Sequence, residues 1–264
     1  MAAVMNPALA AFCGRLNPEL VLAQVRVRRE VAGFELRHAS DVAAGPESLR
    51  TVAVTELRAL ANHTATGEFR PIKAAPSLRA GWRCVAASEA ELETALHQLY
   101  PGAVADWFAA QQTEPPVTHY RDYTARQTGM YRITTMLTDA QAGQMIGACC
   151  DARFCLKRRL WTVPGLTADA VAAKSLIPCL EPCAVLLEFA RKAMRIEQEE
   201  NKSTLVLAPS EVKSLQAALD AALAHPPAGL READLSTAAN PRRLQLLRAK
   251  LQGFAPVAET GGKE

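Results

Sequence analysis

Residues 149–161 read CCDARFCLKRRLW and residues 177–183 read IPCLEPC; the two stretches hold five of the chain's seven cysteines. The pattern is C-C-x4-C-x23-C-x3-C, all within 35 residues, while Cys13 and Cys84 stand apart. Thiolates packed this densely act as metal ligands or redox groups in a reducing compartment more readily than as structural disulfides. An iron–sulfur cubane needs four thiolates converging on one volume, and such proteins combine short local spacings with distant ones. Structural zinc usually draws on paired C-x2-C knuckles, and the chain has none. Three readings stay open on spacing alone: a cluster, a zinc-stabilised interaction module, and redox or structural thiols. Cys13 and Cys84 read as small hydrophobes.

The surroundings of the cysteines predict helices. Thr138 and Gln141 form a capping box, in which each side chain bonds an otherwise orphan amide. The helix it opens runs to Cys149 or Cys150, with Ala142, Met145, Ile146 and Cys149 on one apolar stripe. Cys149 is thus explained by core burial. Cys150 points about 100° away around the helix, which favours it as a ligand with Cys149 as the alternate. A second helix is expected to start just after Pro182 and to run through Leu186, Leu187 and Ala190 towards Glu200. Amides exposed at its N-terminus can hydrogen-bond the sulfur of Cys183. The ligand set expected on these grounds is Cys150, Cys155, Cys179 and Cys183.

Working outward, the first 110 or so residues alternate as strands do. Leu20–Arg28 reads as one strand, followed by a hairpin turn at Val31-Ala32-Gly33 and a strand over Phe34–His38. Short strands are expected around Thr51–Thr55 and Ala80–Ala86, and a helix opens at Ser88 with Glu91 three residues on. The prolines of Thr113–Pro116 mark a boundary. Towards the C-terminus, Ser210 is read as the cap of a helix through Leu223, and Asn240-Pro241 as the opening of a basic helix carrying Leu244, Leu247 and Leu251. The expected fold is α+β, an N-terminal mixed α/β domain with a small antiparallel sheet followed by a mainly helical cluster-binding domain. The domains fall at residues 15–112, 117–204 and 205–254, with a disordered tail over 255–264.

Composition excludes some partners. A formal charge of +3 is too small to argue for nucleic acid, and no apolar run approaches the ~20 residues of a membrane span. With no signal peptide in Met1–Leu9, a cytoplasmic location is the default. Lys157, Arg158 and Arg159 follow Cys155, and Arg126, Arg132 and Arg153 are near in sequence. Arg132, Lys157 and Arg158 are the candidates for a basic rim that balances cluster charge or meets an acidic substrate, against the alternative of a solvated face. Trp161 and Tyr131 read as core. The five histidines are scattered, and neither a phosphate-binding glycine loop nor a nucleophile motif is present. No self-sufficient catalytic site is visible.

Three runs, QTGMYR at 127–132, CCDARFCLKRRLW and IPCLEPC, together resemble the iron–sulfur domain at the C-terminus of some sirohydrochlorin cobaltochelatases of the CbiX type. The segment from Leu20 to Trp107, with its ALHQLYPGAVADW end, is similar to the α/β stabilising domain that precedes it there. The resemblance implies a [4Fe–4S] cluster and a two-domain layout over roughly residues 15–200. It also implies a link to sirohaem or cobalamin synthesis. The separate metal-inserting domain of those chelatases, with its histidines, has no counterpart in these residues. The expectation is therefore an accessory, electron-transfer or regulatory module that works beside a separate chelatase or a redox partner protein. The alternative is a divergent chelatase or reductase that binds a tetrapyrrole between its domains.

Overall fold

The computed structural model describes residues 6–63, 73–113, 115–124, 129, 131–167, 169, 175–198, 205–225, 235 and 237–252. Arg126, Gln127, Thr128 and Met130 of the basic rim and the QTGMYR run lie outside these, as does the tail over 255–264. Among the described residues no helix is long and apolar enough to cross a membrane.

The N-terminal half is a five-stranded sheet backed by helices. Helix α1 (Pro7–Arg15) is followed by strands β1 (Glu19–Leu22), β2 (Val25–Glu30), β3 (Gly33–His38) and β4 (Arg50–Thr51), then helix α2 (Leu57–Asn62). Strand β5 (Trp82–Ala86) precedes helices α3 (Glu89–Leu99) and α4 (Ala103–Gln112). The strand order is β1-β2-β3-β5-β4, antiparallel except for the β4–β5 pair. The β2–β3 hairpin turns at Val31-Ala32, with Glu30 opposite Gly33. Alternate residues of the sheet, Val25, Val27, Leu36 and Cys84, bury against Leu92, Leu96 and Leu99 of α3. Phe12 of α1 meets Trp107 of α4 edge-on at 5.7 Å.

Two differences from the sequence reading have physical causes. The strand expected over Leu20–Arg28 is broken into β1 and β2 by a two-residue turn at Ala23-Gln24, with Leu22 opposite Val25. Ala23 takes a left-handed φ of 55° there, an uncommon choice for a residue with a Cβ. The Tyr100 hydroxyl, accepting from the Gln24 amide at 3.2 Å, and the Gln24 side chain, accepting from the Leu78 amide at 2.8 Å, hold the turn. Helices α1 and α4, which the pattern did not announce, pack on each other and on α3. Gly102 supplies the positive φ of 74° that lets α4 start three residues after the Tyr100 cap of α3.

The second half is mainly helical. It comprises α5 (Ile133–Met136), α6 (Asp139–Cys149), a parallel pair of two-residue strands β6 (Arg158–Arg159) and β7 (Pro178–Cys179), and helix α7 (Ala184–Glu197). Helices α8 (Pro209–Ala224) and α9 (Pro241–Gln252) follow, and α9 packs on α6 and α8. Ser210 does not cap α8. Ala208 stands at the cap, and the Glu211 carboxylate accepts its amide at 2.6 Å, because Pro209 already occupies the first helical position. On α9 the inward leucine is Leu246, not Leu247, which is 44% exposed. Helix α7 begins at Ala184, so Cys183 and not Pro182 sits at its cap.

Candidate metal centre

The cysteines are gathered by three local devices. The first is α6, whose capping box is present in both directions: Thr138 Oγ1 accepts from the Gln141 amide at 3.2 Å and Gln141 Oε1 from the Thr138 amide at 3.0 Å. Its stripe of Ala142, Met145, Ile146 and Cys149 is buried, which fixes the helix rotation and leaves Cys150 at the C-cap, half-buried. The second is a turn built on Asp151. Its carbonyl accepts from the amides of Phe154 and Cys155 at 2.9 and 3.0 Å, and its carboxylate accepts from the Arg153 amide at 2.9 Å. That turn folds Cys155 back towards the helix end.

The third is the β6–β7 pair. It sets Arg158 opposite Pro178 and Arg159 opposite Cys179, so the two halves of the motif lie side by side. The Tyr123 hydroxyl donates to the Leu180 carbonyl and steadies the loop between Cys179 and Cys183. Cys183 then caps α7, where the helix presents its first amides. The tie to the N-terminal half is direct: the Leu156 amide donates to the Ala75 carbonyl at 2.7 Å, and Lys157 pairs with Asp106 of α4 at 2.6 Å.

The thiols feel one another. Burial raises the Cys179 thiol to about 12, with Cys183 adding to it, while the Trp161 N–H, 3.5 Å from Cys179 Sγ, pulls the other way. Burial likewise raises Cys183, helped by Cys149, against the pull of Lys73 and the Leu186 amide. Cys149, fully buried, is the exception. A hydrogen bond from Cys150 lowers it to about 6 despite burial, with Lys73 and Arg242 contributing. The same bond, followed by burial, raises Cys150. Buried thiols of this kind are neutral unless a cation or metal takes the charge of the thiolate.

Two of those cations are remote in sequence. Lys73 is 4% exposed; its ammonium donates to the Cys149 carbonyl and lies 3.7 Å from Cys149 Sγ. Arg242, 2% exposed at the start of α9, stacks over the Phe154 ring at 4.9 Å. Neither was singled out from sequence, since a lysine in a loop 76 residues before its partner carries no local signal. The expected rim is dispersed. Arg132 is exposed at the start of α5, Arg158 is half-buried on β6, and Lys157 is committed to Asp106, though its charge still acts on Cys179. Arg159 is buried, donating to the carbonyls of Trp161 and Thr167 with its guanidinium 5.3 Å from the Trp161 ring. Trp161 and Tyr131 are core, as expected.

Among the described residues no three His, Cys, Asp or Glu side chains stand close enough about one point to hold a single metal ion. In a tetrahedral zinc site the thiolate sulfurs lie within about 4 Å of each other. A four-iron cluster accepts thiolates set further apart, one at each iron. Five thiols converging from three elements, with a buried ammonium aimed at them, suit such a polyanionic group.

Comparison with known proteins also points to an iron–sulfur group. Residues 112–192 match the family described as a 4Fe-4S iron–sulfur cluster binding domain, and residues 8–111 match the DR2241 stabilising domain. No curated protein matches the chain. Among solved structures, DR2241 from Deinococcus radiodurans superposes with a TM-score of 0.59 at 29% identity, over 72% of this chain. That protein is described as multi-domain, with structural similarity to chelatases and two additional novel domains, and the present chain spans 41% of its length. Residues 8–192 thus match these two family models in succession, and the chain resembles the part of CbiX-type sirohydrochlorin cobaltochelatases in which an iron–sulfur domain follows a stabilising domain.

Proposed function

We propose that the chain holds one [4Fe–4S] cluster through Cys150, Cys155, Cys179 and Cys183, and that it serves as an electron-transfer or regulatory module. The observation that carries this reading is the convergence of these thiols at two helix ends, the Asp151 turn and one strand pair. Cys150 is preferred to Cys149 because Cys149 is sealed in the apolar stripe with its carbonyl held by Lys73, whereas Cys150 is half-buried at the helix end. When bound, such a cluster supplies one-electron chemistry. The protein's own groups set the conditions for it. Trp161 offers a hydrogen bond to the sulfur of Cys179, the start of α7 offers amides to Cys183, and Lys73, Arg242 and Lys157 offset negative charge.

Four thiolates would occupy all four irons, leaving no open position for a substrate. That favours electron transfer or sensing over Lewis-acid catalysis. The likeness of the solved relative to chelatases supports a role beside a chelatase in tetrapyrrole metabolism, with that enzyme or a redox protein as partner. In that setting Arg132 and Arg158 would meet the carboxylates of a tetrapyrrole or of an acidic partner.

The test is a serine series on anaerobically purified protein. Cys155→Ser, Cys179→Ser and Cys183→Ser should each lose the broad absorption near ~400 nm of an iron–sulfur protein. Cys13→Ser and Cys84→Ser should keep it. Retention of the full absorption by Cys179→Ser and Cys183→Ser would refute the ligand set.

A further inference from the structure

Lys73 is held in an unusual position. It is 4% exposed, its ammonium lies 3.7 Å from Cys149 Sγ, and the groups that weigh most on its charge are the thiols of Cys149, Cys150 and Cys155 together with Arg242. Burying an ammonium is costly unless negative charge lies beside it, and the thiolates of the cluster-binding segment are placed to supply that charge. Arg242 lies in the same buried place. It is itself buried, its charge repels Lys73, and both act on Cys149.

The two cations come from opposite sides of the cluster-binding segment. Lys73 belongs to the stabilising domain. Arg242 belongs to α9, beyond the residues matched by either family. Arg242 stacks on Phe154 inside the Asp151 turn, and Arg153 of the same turn donates to Gln245 of α9 at 2.8 Å. The segment that follows Lys73 is fastened to the other end of the turn by the Leu156–Ala75 hydrogen bond. Each cation's own segment is thus fixed to the ligand loop by a neighbour's hydrogen bond, Ala75 for Lys73 and Gln245 for Arg242, that does not depend on the cation's charge.

We propose that Lys73 and Arg242 form a charge clamp that raises the reduction potential of the cluster, with the C-terminal helix α9 an integral part of the redox site. The inference rests on the cluster reading above. Reduction adds one negative charge, and a fixed cation stabilises the reduced state more than the oxidised one. Removing either cation therefore lowers the midpoint potential.

The experiment is an anaerobic redox titration, followed by electron paramagnetic resonance, of the full chain and its Lys73→Met, Arg242→Met, Lys73→Arg and Arg242→Lys variants. Iron and sulfide content are measured alongside. Each methionine variant should shift the reduction equilibrium at least tenfold towards the oxidised form, about 59 mV for one electron. The charge-keeping variants should stay near the wild-type value, as should Arg58→Met, an exposed control on α2. Clusters present in normal amount with unchanged potentials in both methionine variants would overturn the clamp while leaving the cluster reading intact. A wild-type chain without iron and sulfide would overturn the reading itself. If the methionine variants fail to assemble a cluster, assembly in the charge-keeping variants supports the clamp. Failure of those as well would show that the two side chains act by shape, and would overturn it.

Discussion

Trp161 shows how much one side chain contributes at this centre. Its ring is core, 2% exposed, while its N–H lies 3.5 Å from Cys179 Sγ. A hydrogen bond of this kind contributes about 1 kcal/mol net, and it is stronger to a more negative sulfur. Trp161→Phe keeps most of the packing and deletes the donor. We expect a folded, cluster-bearing protein whose midpoint potential falls by roughly fivefold in the reduction equilibrium; an unchanged potential would show that the N–H does not serve the sulfur. The adjacent cysteines separate in the same way: Cys150→Ser should lose the cluster and Cys149→Ser should keep it, read from iron content. At this scale the cysteines were legible because their spacing is local, and Trp161 was legible as core but not as a donor. Lys73 and Arg242 were not legible, since each reaches the site through contacts that only the folded chain creates.

The elements show which local signals suffice. The capping box of Thr138 and Gln141 predicted both the start of α6 and its buried stripe, because cap and periodicity agree there. The β6–β7 pair left no mark on the sequence. Two-residue strands have no alternation to read, and their parallel pairing spans a 20-residue separation from Arg158 to Pro178. The single strand expected over Leu20–Arg28 failed for a related reason. Apolar residues continue through the turn at Ala23, and hydrogen bonds with Tyr100 and Leu78, 76 and 54 residues from Gln24, hold it. Ala23 carries a left-handed φ of 55°, which costs an L residue about 1 kcal/mol. Ala23→Gly is therefore expected to raise the unfolding free energy by about 1 kcal/mol in denaturant melts, less any entropy lost to the unfolded state. A destabilised variant would mean that the Ala23 methyl packs to more effect than its backbone is strained.

Across the whole molecule, the two halves meet at the centre. Lys157 beside Cys155 pairs with Asp106 of α4, and the pair is largely sheltered, with side-chain exposures of 15% and 33%. A double-mutant cycle on Asp106→Asn and Lys157→Met should give a coupling of about 1 kcal/mol in the apo-protein, diminished at high salt. No coupling would make this contact incidental to how the halves are joined. The α+β layout was legible from the alternation of the first half and the helical stripes of the second. The docking of α9 on α6 was not, because an apolar stripe of Leu244, Leu247 and Leu251 names no partner helix, and it is Leu246 and Arg242 that turn inward. The account as a whole stands on the identity of the inorganic group at the cysteines. Metal and acid-labile sulfide analysis of the full chain, purified without oxygen, tests it most directly. We predict iron and sulfide in equal amounts, about four of each per chain, in a brown protein. A colourless protein with about one zinc per chain and no sulfide would contradict the account.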